Sequence, residues 1–142
     1  MSIEENKALA KRIVEEIFNQ GDLSRMDELI APDGVVHDPD REYRGTEQIK
    51  QGIIRLRAAF PDLRYTVEDM IAEGDRVVVR YSGRGTHHGE FRGIPPTGKQ
   101  MTYTGILIWR FGDGKMVEHW AVADVLGLFQ QLGVIPPLGQ SG

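Results

Sequence analysis

Cysteine is absent from the 142-residue chain, which excludes disulfides, thiolate metal sites and a cysteine nucleophile. Long apolar runs are absent too: nothing approaches the roughly 20 residues that cross a bilayer. The opening MSIEENKALAKR is acidic and has no continuous apolar stretch, unlike a signal peptide. A soluble, cytoplasmic protein without membrane contact is expected. Positive charge is in short supply, with 17 Lys and Arg against 21 Asp and Glu, a formal charge of −4. Nucleic acid is therefore not an expected partner, since phosphate binding calls for a basic patch. The phosphate loops GxGxxG and GxxxxGKS/T and the GxSxG nucleophile elbow are missing as well.

What remains is ordinary globular composition, 40% hydrophobic and 27% charged, sized for a single domain over residues 1–142. Ser2-Ile3-Glu4-Glu5 reads as a capping box. Behind it Leu9, Ala10, Ile13, Val14, Ile17 and Phe18 recur at helical spacing, with Gly21 as the stop. A second short helix is expected over Ser24 to Ile30, a brief strand over Val35 to Asp38, and a third helix capped by Thr46 and ended by Pro61. From Leu63 the period changes to alternation, and Gly112-Asp113-Gly114 is a strong hairpin signal between the two last strands. Asp124 to Leu132 reads as a closing helix stopped at Gly133. Helices first and hairpin-linked strands afterwards give an α+β fold, with N-terminal helices covering one face of a curved antiparallel sheet. Such a sheet encloses a cone that suits a small apolar molecule.

Alternation places Tyr103, Gly105, Leu107 and Trp109 on one face of a strand, and Val117, His119 and Ala121 on one face of its partner. His119 is then the first choice for a catalytic base, because imidazole exchanges protons near neutral pH. Tyr103, Leu107, Trp109 and Ala121, together with Tyr81 and Phe18, are expected to line the pocket. His37, in Val-His-Asp-Pro, and His87, in Gly-Thr-His-His-Gly, are further pocket candidates; His88 reads as a solvated loop residue. Asp124 has two readings, a helix N-cap or a catalytic carboxyl whose pKa is raised by burial. Trp120 reads as core, and Arg80 and Arg84 as surface. The histidines lack HxH or HxxxH spacing, so no metal is expected.

The ordered motifs carry a resemblance. They are Phe18 to Asp22 (FNQGD), Val36 to Pro39 (VHDP), Ala59 to Leu63 (AFPDL), Glu73 to Val77 (EGDRV), Gly85 to His87 (GTH), Gly93 to Gly98 (GIPPTG), Asp113 to Lys115 (DGK), Glu118 to Trp120 (EHW) and Gln131 to Gly133 (QLG). In this order the chain resembles the SnoaL-like polyketide cyclase, or ester cyclase, family of the nuclear-transport-factor-2-like superfamily, which includes ketosteroid isomerase. The resemblance implies a cone-shaped α+β fold, a homodimer and no cofactor. It also implies an intramolecular aldol ring closure in which an aspartate moves the proton. That aspartate falls here on Ala121, and a second family histidine falls on Leu107. Asp124 matches a family position other than the acting one.

The expected function is cofactor-free proton transfer on a small apolar carbonyl compound, of cyclase or isomerase type. His119 would be the base, with His37 or His87 polarising the oxygen and Asp124 assisting. The loss of the acid at Ala121 supports an alternative, a non-catalytic binding protein for hydrophobic ligands. Epoxide hydrolysis ranks last, because two carboxylates bracketing an arginine are not found in the pocket pattern.

Overall fold

Ser2 accepts a hydrogen bond from the Glu5 amide while Glu5 reaches back to the Ser2 amide, closing the capping box that starts α1, Ile3–Arg12. The computed structural model describes residues 2–139. After Arg12 the helix widens into a π-helical segment, Ile13–Asn19, that buries Ile13, Val14 and Ile17. A 3-10 turn, Leu23–Arg25, and the short α2, Met26–Leu29, take the place of the single second helix expected from sequence. The chain then enters β1, Ile30–Asp38, and β2, Arg41–Arg44, which pair through a tight turn at Pro39 and Asp40. Helix α3 spans Gly45–Ala59. Thr46 is not its cap: its hydroxyl donates instead to the Ala31 carbonyl, and Gln48 accepts the Arg44 amide.

Four long strands follow: β3 (Arg64–Glu73), β4 (Arg76–Thr86), β5 (Gln100–Gly112) and β6 (Lys115–Ala123), then α4, Val125–Leu132. The six strands form one curved sheet in the order β2-β1-β6-β5-β4-β3. All pairings are antiparallel except β1 with β6, which run parallel, so the expected all-antiparallel sheet is corrected at one seam. The parallel pairing follows from connectivity, since β1 arrives from the helices and joins the free edge of the last hairpin.

The β5–β6 hairpin turns at Asp113 and Gly114 with φ of 51° and 78°. Two consecutive positive φ values are what a two-residue hairpin needs, and Asp-Gly supplies them at little cost. A bulge lies just beyond: Phe111 pairs with Met116 and Arg110 with Glu118, leaving Val117 unmatched. The bulge turns Met116 inward where strict alternation would have put Val117, yet keeps His119 and Ala121 on the inner face.

The covered face carries the core. Val77, Val79, Tyr81, Met101, Leu107, Trp109 and Phe111 from the sheet meet Ile13, Ile17, Ile49, Ile53 and Phe60 from the helical side. Among the described residues no helix is long and apolar enough to cross a membrane.

Candidate functional site

Val36 pairs with His119 across the parallel seam, and His37 with Trp120. Aligned residues on neighbouring strands point the same way, so Val36 and His119 turn inward while His37 and Trp120 turn outward. His119 is 6% exposed and meets Trp109 edge to face at 5.7 Å. Its Nε2 and the Trp109 indole Nε1 are both buried without a hydrogen-bond partner among the described residues. Burial, with nearby His37 adding a smaller push, lowers the His119 pKa to about 3. The imidazole is therefore neutral at any ordinary pH, suited to hydrogen bonding and too weak a base for abstracting a carbon-bound proton.

His37 does not join it. Its Nε2 meets Glu118 at 2.7 Å and its Nδ1 meets Glu42 at 2.9 Å, and the ring stacks on Trp120 at 5.5 Å. Arg110 completes the outer cluster on Glu118, whose carboxyl is held below its ordinary pKa first by the His37 hydrogen bond and then by Arg110. The expectation of His37 in the pocket is corrected by strand parity, and so is that of Trp120 in the core.

His87 is wholly buried but lies elsewhere. It continues the β4 ladder, its amide donating to the Lys99 carbonyl, and its Nδ1 meets the Thr97 hydroxyl at 3.0 Å. His119 reaches β4 at Val77, through Trp109. From Val77 to His87 is about 30 Å of extended strand at about 3.3 Å per residue, so the two histidines cannot act on one atom. Asp124 is exposed and accepts the Gly127 amide at 2.9 Å as the N-cap of α4. Of its two sequence readings, the cap is the one observed. The four candidate catalytic residues are thus dispersed: His119 faces the interior beside Trp109, while His87 is buried past the far end of β4 against Phe60.

A different carboxyl does face inward. The register Val36–His119, His37–Trp120 ends there, and alternation turns the next residue of β1, Asp38, toward the same face as Val36. Ala121 pairs with Leu107, and Leu107 with Val79, making one inward row of three strands. In the next row Tyr81 pairs with Gly105 and Gly105 with Ala123. Gly105, Ala121 and Ala123 thus make a floor almost without side chains between Asp38 and the tyrosines of the middle strands. Ala121, Ala123, Asp38 and Tyr103 are only partly buried, whereas Leu107 and Trp109 are sealed. The inner face is therefore partly exposed at Asp38, Tyr103 and the two alanines and packed at Leu107 and Trp109. Two surface grooves lie away from it, one between Asn6 and Asp113, the other between Tyr43 and Arg55.

Asp38 has its pKa raised, chiefly by burial and then by Asp40, with Arg92 and Arg41 working against the rise. Tyr65, Tyr81 and Tyr103 gather opposite it. The Tyr65 and Tyr103 hydroxyls meet at 2.8 Å, and the three rings lie 4.5 to 6.3 Å apart. Burial pushes all three phenol pKa values up, and the charge of Asp38 adds to the rise at Tyr81 and Tyr103. Phe18 stacks on Tyr65 at 5.2 Å and stands 6.5 Å from Trp109, closing the helical side. Tyr81, Tyr103, Leu107, Trp109, Ala121 and Phe18 thus all face the interior.

Sequence reasoning passes over Asp38. The consecutive valines at 35 and 36 leave the phase of β1 open, and an inward His37 turns Asp38 outward. The signal lies in β6, where an inward His119 needs an inward neighbour.

Comparison with known proteins agrees with this architecture. The family model for SnoaL-like polyketide cyclase matches residues 8–132. The aklanonic acid methyl ester cyclase DnrD of Streptomyces peucetius is 31% identical over 131 residues, 88% of each chain. The nogalonic acid methyl ester cyclase of Streptomyces nogalater is 30% identical over 120 residues, 82% of this chain and 89% of that one. The structure of TsrD from Streptomyces laurentii superposes with a TM-score of 0.86 at 30% identity, covering 95% of this chain and 99% of its own. The chain belongs to the SnoaL-like polyketide cyclase family.

Proposed function

We propose that the protein is a cofactor-free enzyme of cyclase type that moves a proton at the carbon beside a carbonyl in a small, largely apolar compound. Asp38 is the acid/base. The observation that carries this reading is its position: a half-buried carboxyl of raised pKa, turned to the inner face of β1 one residue past the His37–Trp120 pair. A carboxyl whose pKa is raised by burial is a stronger base than an exposed one. In the first step the carbon–hydrogen bond breaks and the proton goes to an Asp38 oxygen. The bonding pair forms the enolate carbon–carbon double bond, and the carbonyl pair moves onto oxygen. In the second step the enolate carbon attacks another carbonyl of the same molecule, and the new alkoxide takes the proton back from Asp38. No electrons enter or leave, so no redox partner is called for. His119 contributes a neutral hydrogen-bonding group at the deep end, with Trp109 beside it.

The names of the cyclase relatives support ring closure as the overall reaction. The test is hydrogen exchange at the acidic carbon of 2-tetralone in deuterium oxide, followed by NMR, alongside cyclisation of aklanonic acid methyl ester. Catalysed exchange that disappears in Asp38→Asn is expected; exchange no faster than buffer would end the reading. Ala121, at the family's acid position, favours the second reading, ligand binding without turnover. Saturable binding of 2-tetralone without exchange would select it.

A further inference from the structure

Arg92 stands where the backbone favours asparagine or aspartate. The segment between β4 and β5 folds back on itself: the Phe91 amide donates to the Ile94 carbonyl at 3.0 Å, and the Ile94 amide to the Phe91 carbonyl at 2.8 Å. The two residues between them, Arg92 and Gly93, have φ of 51° and 81°. The β5–β6 hairpin turns with nearly the same pair of angles, 51° and 78°, and fills them with Asp113 and Gly114. Asn-Gly and Asp-Gly suit such a turn, because a short polar side chain tolerates positive φ. A long arginine gains nothing there from the backbone, so its presence points to a role for the side chain.

We propose that Arg92 is a specificity-determining residue whose guanidinium binds a carboxylate carried by the substrate, at the entrance to the Asp38 site. The inference rests on the Asp38 reading above and names a substrate class for it, a carbonyl compound that bears a free acid.

The tip that presents Arg92 is firmly held. At its base the His87 amide donates to the Lys99 carbonyl and the Gly98 amide to the His87 carbonyl, both at 2.9 Å. Phe91 meets Phe60 edge to face at 5.2 Å and Phe129 at 6.2 Å. From this tip the Arg92 Nη1 donates to Asp40 at 2.5 Å. Asp40 lies two residues past Asp38, at most about 7 Å along the backbone. The cation is thus anchored near the reacting carboxyl, and its charge is felt there, as is that of Arg41.

The remaining donors decide the ligand. Asp40 engages Nη1 alone, and among the described residues the Nε and Nη2 of Arg92 have no hydrogen-bond partner. Those two nitrogens form one edge of the guanidinium, an edge that takes a carboxylate through two parallel bonds. The side chain is 39% exposed, so a ligand can reach it. A neutral carbonyl accepts from the same edge more weakly, because charge-assisted bonds are the stronger kind. Asp38 and Asp40 would repel an acid, and Arg41 with Arg92 offsets those two charges.

The test compares 2-naphthoate with 2-naphthamide, alike in shape and differing in charge, by calorimetry at pH 7. The acid is expected to bind about tenfold more tightly, the scale of one hydrogen bond to a charged group. Added salt should weaken the acid and leave the amide unchanged. Arg92→Asn suits the turn, so thermal unfolding should show an intact fold while the preference falls to parity. Arg92→Lys keeps the charge without the fork and should retain part of it. Equal binding of the two probes, binding of neither, or a preference that survives Arg92→Asn overturns the proposal. Exchange of 2-tetralone, a ketone without an acid, is read separately. Absent exchange with the acid preference intact would discard the proton-transfer reading and keep the carboxylate site; exchange without the preference would do the reverse.

Discussion

Val36 lies alongside His119 on two parallel strands, and that single pairing decides which half of the His37-Asp38 dipeptide faces the interior. Side chains alternate along a strand, so an inward Val36 sends His37 out to Glu118 and Glu42 and turns Asp38 inward. The assignment of the acid to Asp38 follows from this register.

Asp38→Asn is expected to abolish exchange at the substrate carbon, with a loss of at least about 100-fold, the scale of one general acid/base group. The same change should stabilise the fold at neutral pH. A carboxyl whose folded pKa is raised costs stability once it ionises: its contribution is favourable below the unfolded pKa and is lost as pH rises through the folded one. Asparagine cannot ionise. Urea unfolding at pH 7 and at pH 3 checks both limbs, with a gain on the order of 1 kcal/mol at pH 7 and little or none at pH 3.

His119 works on stability from the other side. Its folded pKa is depressed from 6.5 to about 3, mainly by burial. Below pH 6.5 the unfolded chain takes up a proton that the folded protein refuses, so stability falls between pH 6.5 and pH 3. The slope is up to about 1.4 kcal/mol per pH unit for a single group. His119→Phe should flatten that acid limb in a melting series from pH 7 to pH 4. An unchanged limb would mean the ring titrates freely in the folded state.

Much of this was legible in the sequence because local chemistry and the final fold agree. Ser2 with Glu5, Asp113 with Gly114, and Asp124 before α4 each satisfy a backbone demand of their own segment, so reading the segment finds them. The inward set on β5, with Tyr103, Leu107 and Trp109, was legible for the same reason: period two needs no partner. What failed depended on partners distant in the chain. The phase of β1 is fixed by β6, more than eighty residues later. The start of α3 at Gly45 is settled by Gln48 accepting the Arg44 amide, and Thr46 is drawn away to Ala31. Single positions carry no such information.

Gly105→Ala tests the floor. The added methyl would fall 2.6 Å from the Tyr81 hydroxyl, which is itself wedged among buried rings and cannot swing aside freely. A loss of about 1–3 kcal/mol in urea unfolding is expected from overpacking. Gly74→Ala is the control for a glycine without crowding, since a Cβ there would meet nothing within 4 Å, although its φ of 59° adds some strain of its own.

The outward histidine is expected to be dispensable for turnover. His37→Ala removes contacts to Glu42 and Glu118 on the outer face, where His37 is 30% and Glu118 24% exposed. Partly solvated polar contacts of this kind contribute roughly 0–1 kcal/mol, so a loss within that range and exchange within about twofold of wild type are expected. A large fall in exchange rate would return His37 to the reaction and place the acid/base assignment in β1 in question.

That same outer face bears on assembly. Ile106 and Val122 pair across β5 and β6 at 48% and 68% exposure, and Ile71 on β3 is 62% exposed. Large apolar side chains grouped on an open sheet face are costly in water and mark contact surfaces. We propose that a second copy covers them, because a two-fold axis on the sheet would set the Ile106–Val122 pair against its own equivalent, an isologous contact. Light scattering after size exclusion should give twice the 15.9 kDa chain mass, and Val122→Glu should return it to one. A monomeric wild type at micromolar concentration would refute the dimer. The proton-transfer site faces the other side of the sheet, so Val122→Glu should leave exchange measurable in the monomer. Loss of exchange along with the dimer would show that the inner face depends on the partner.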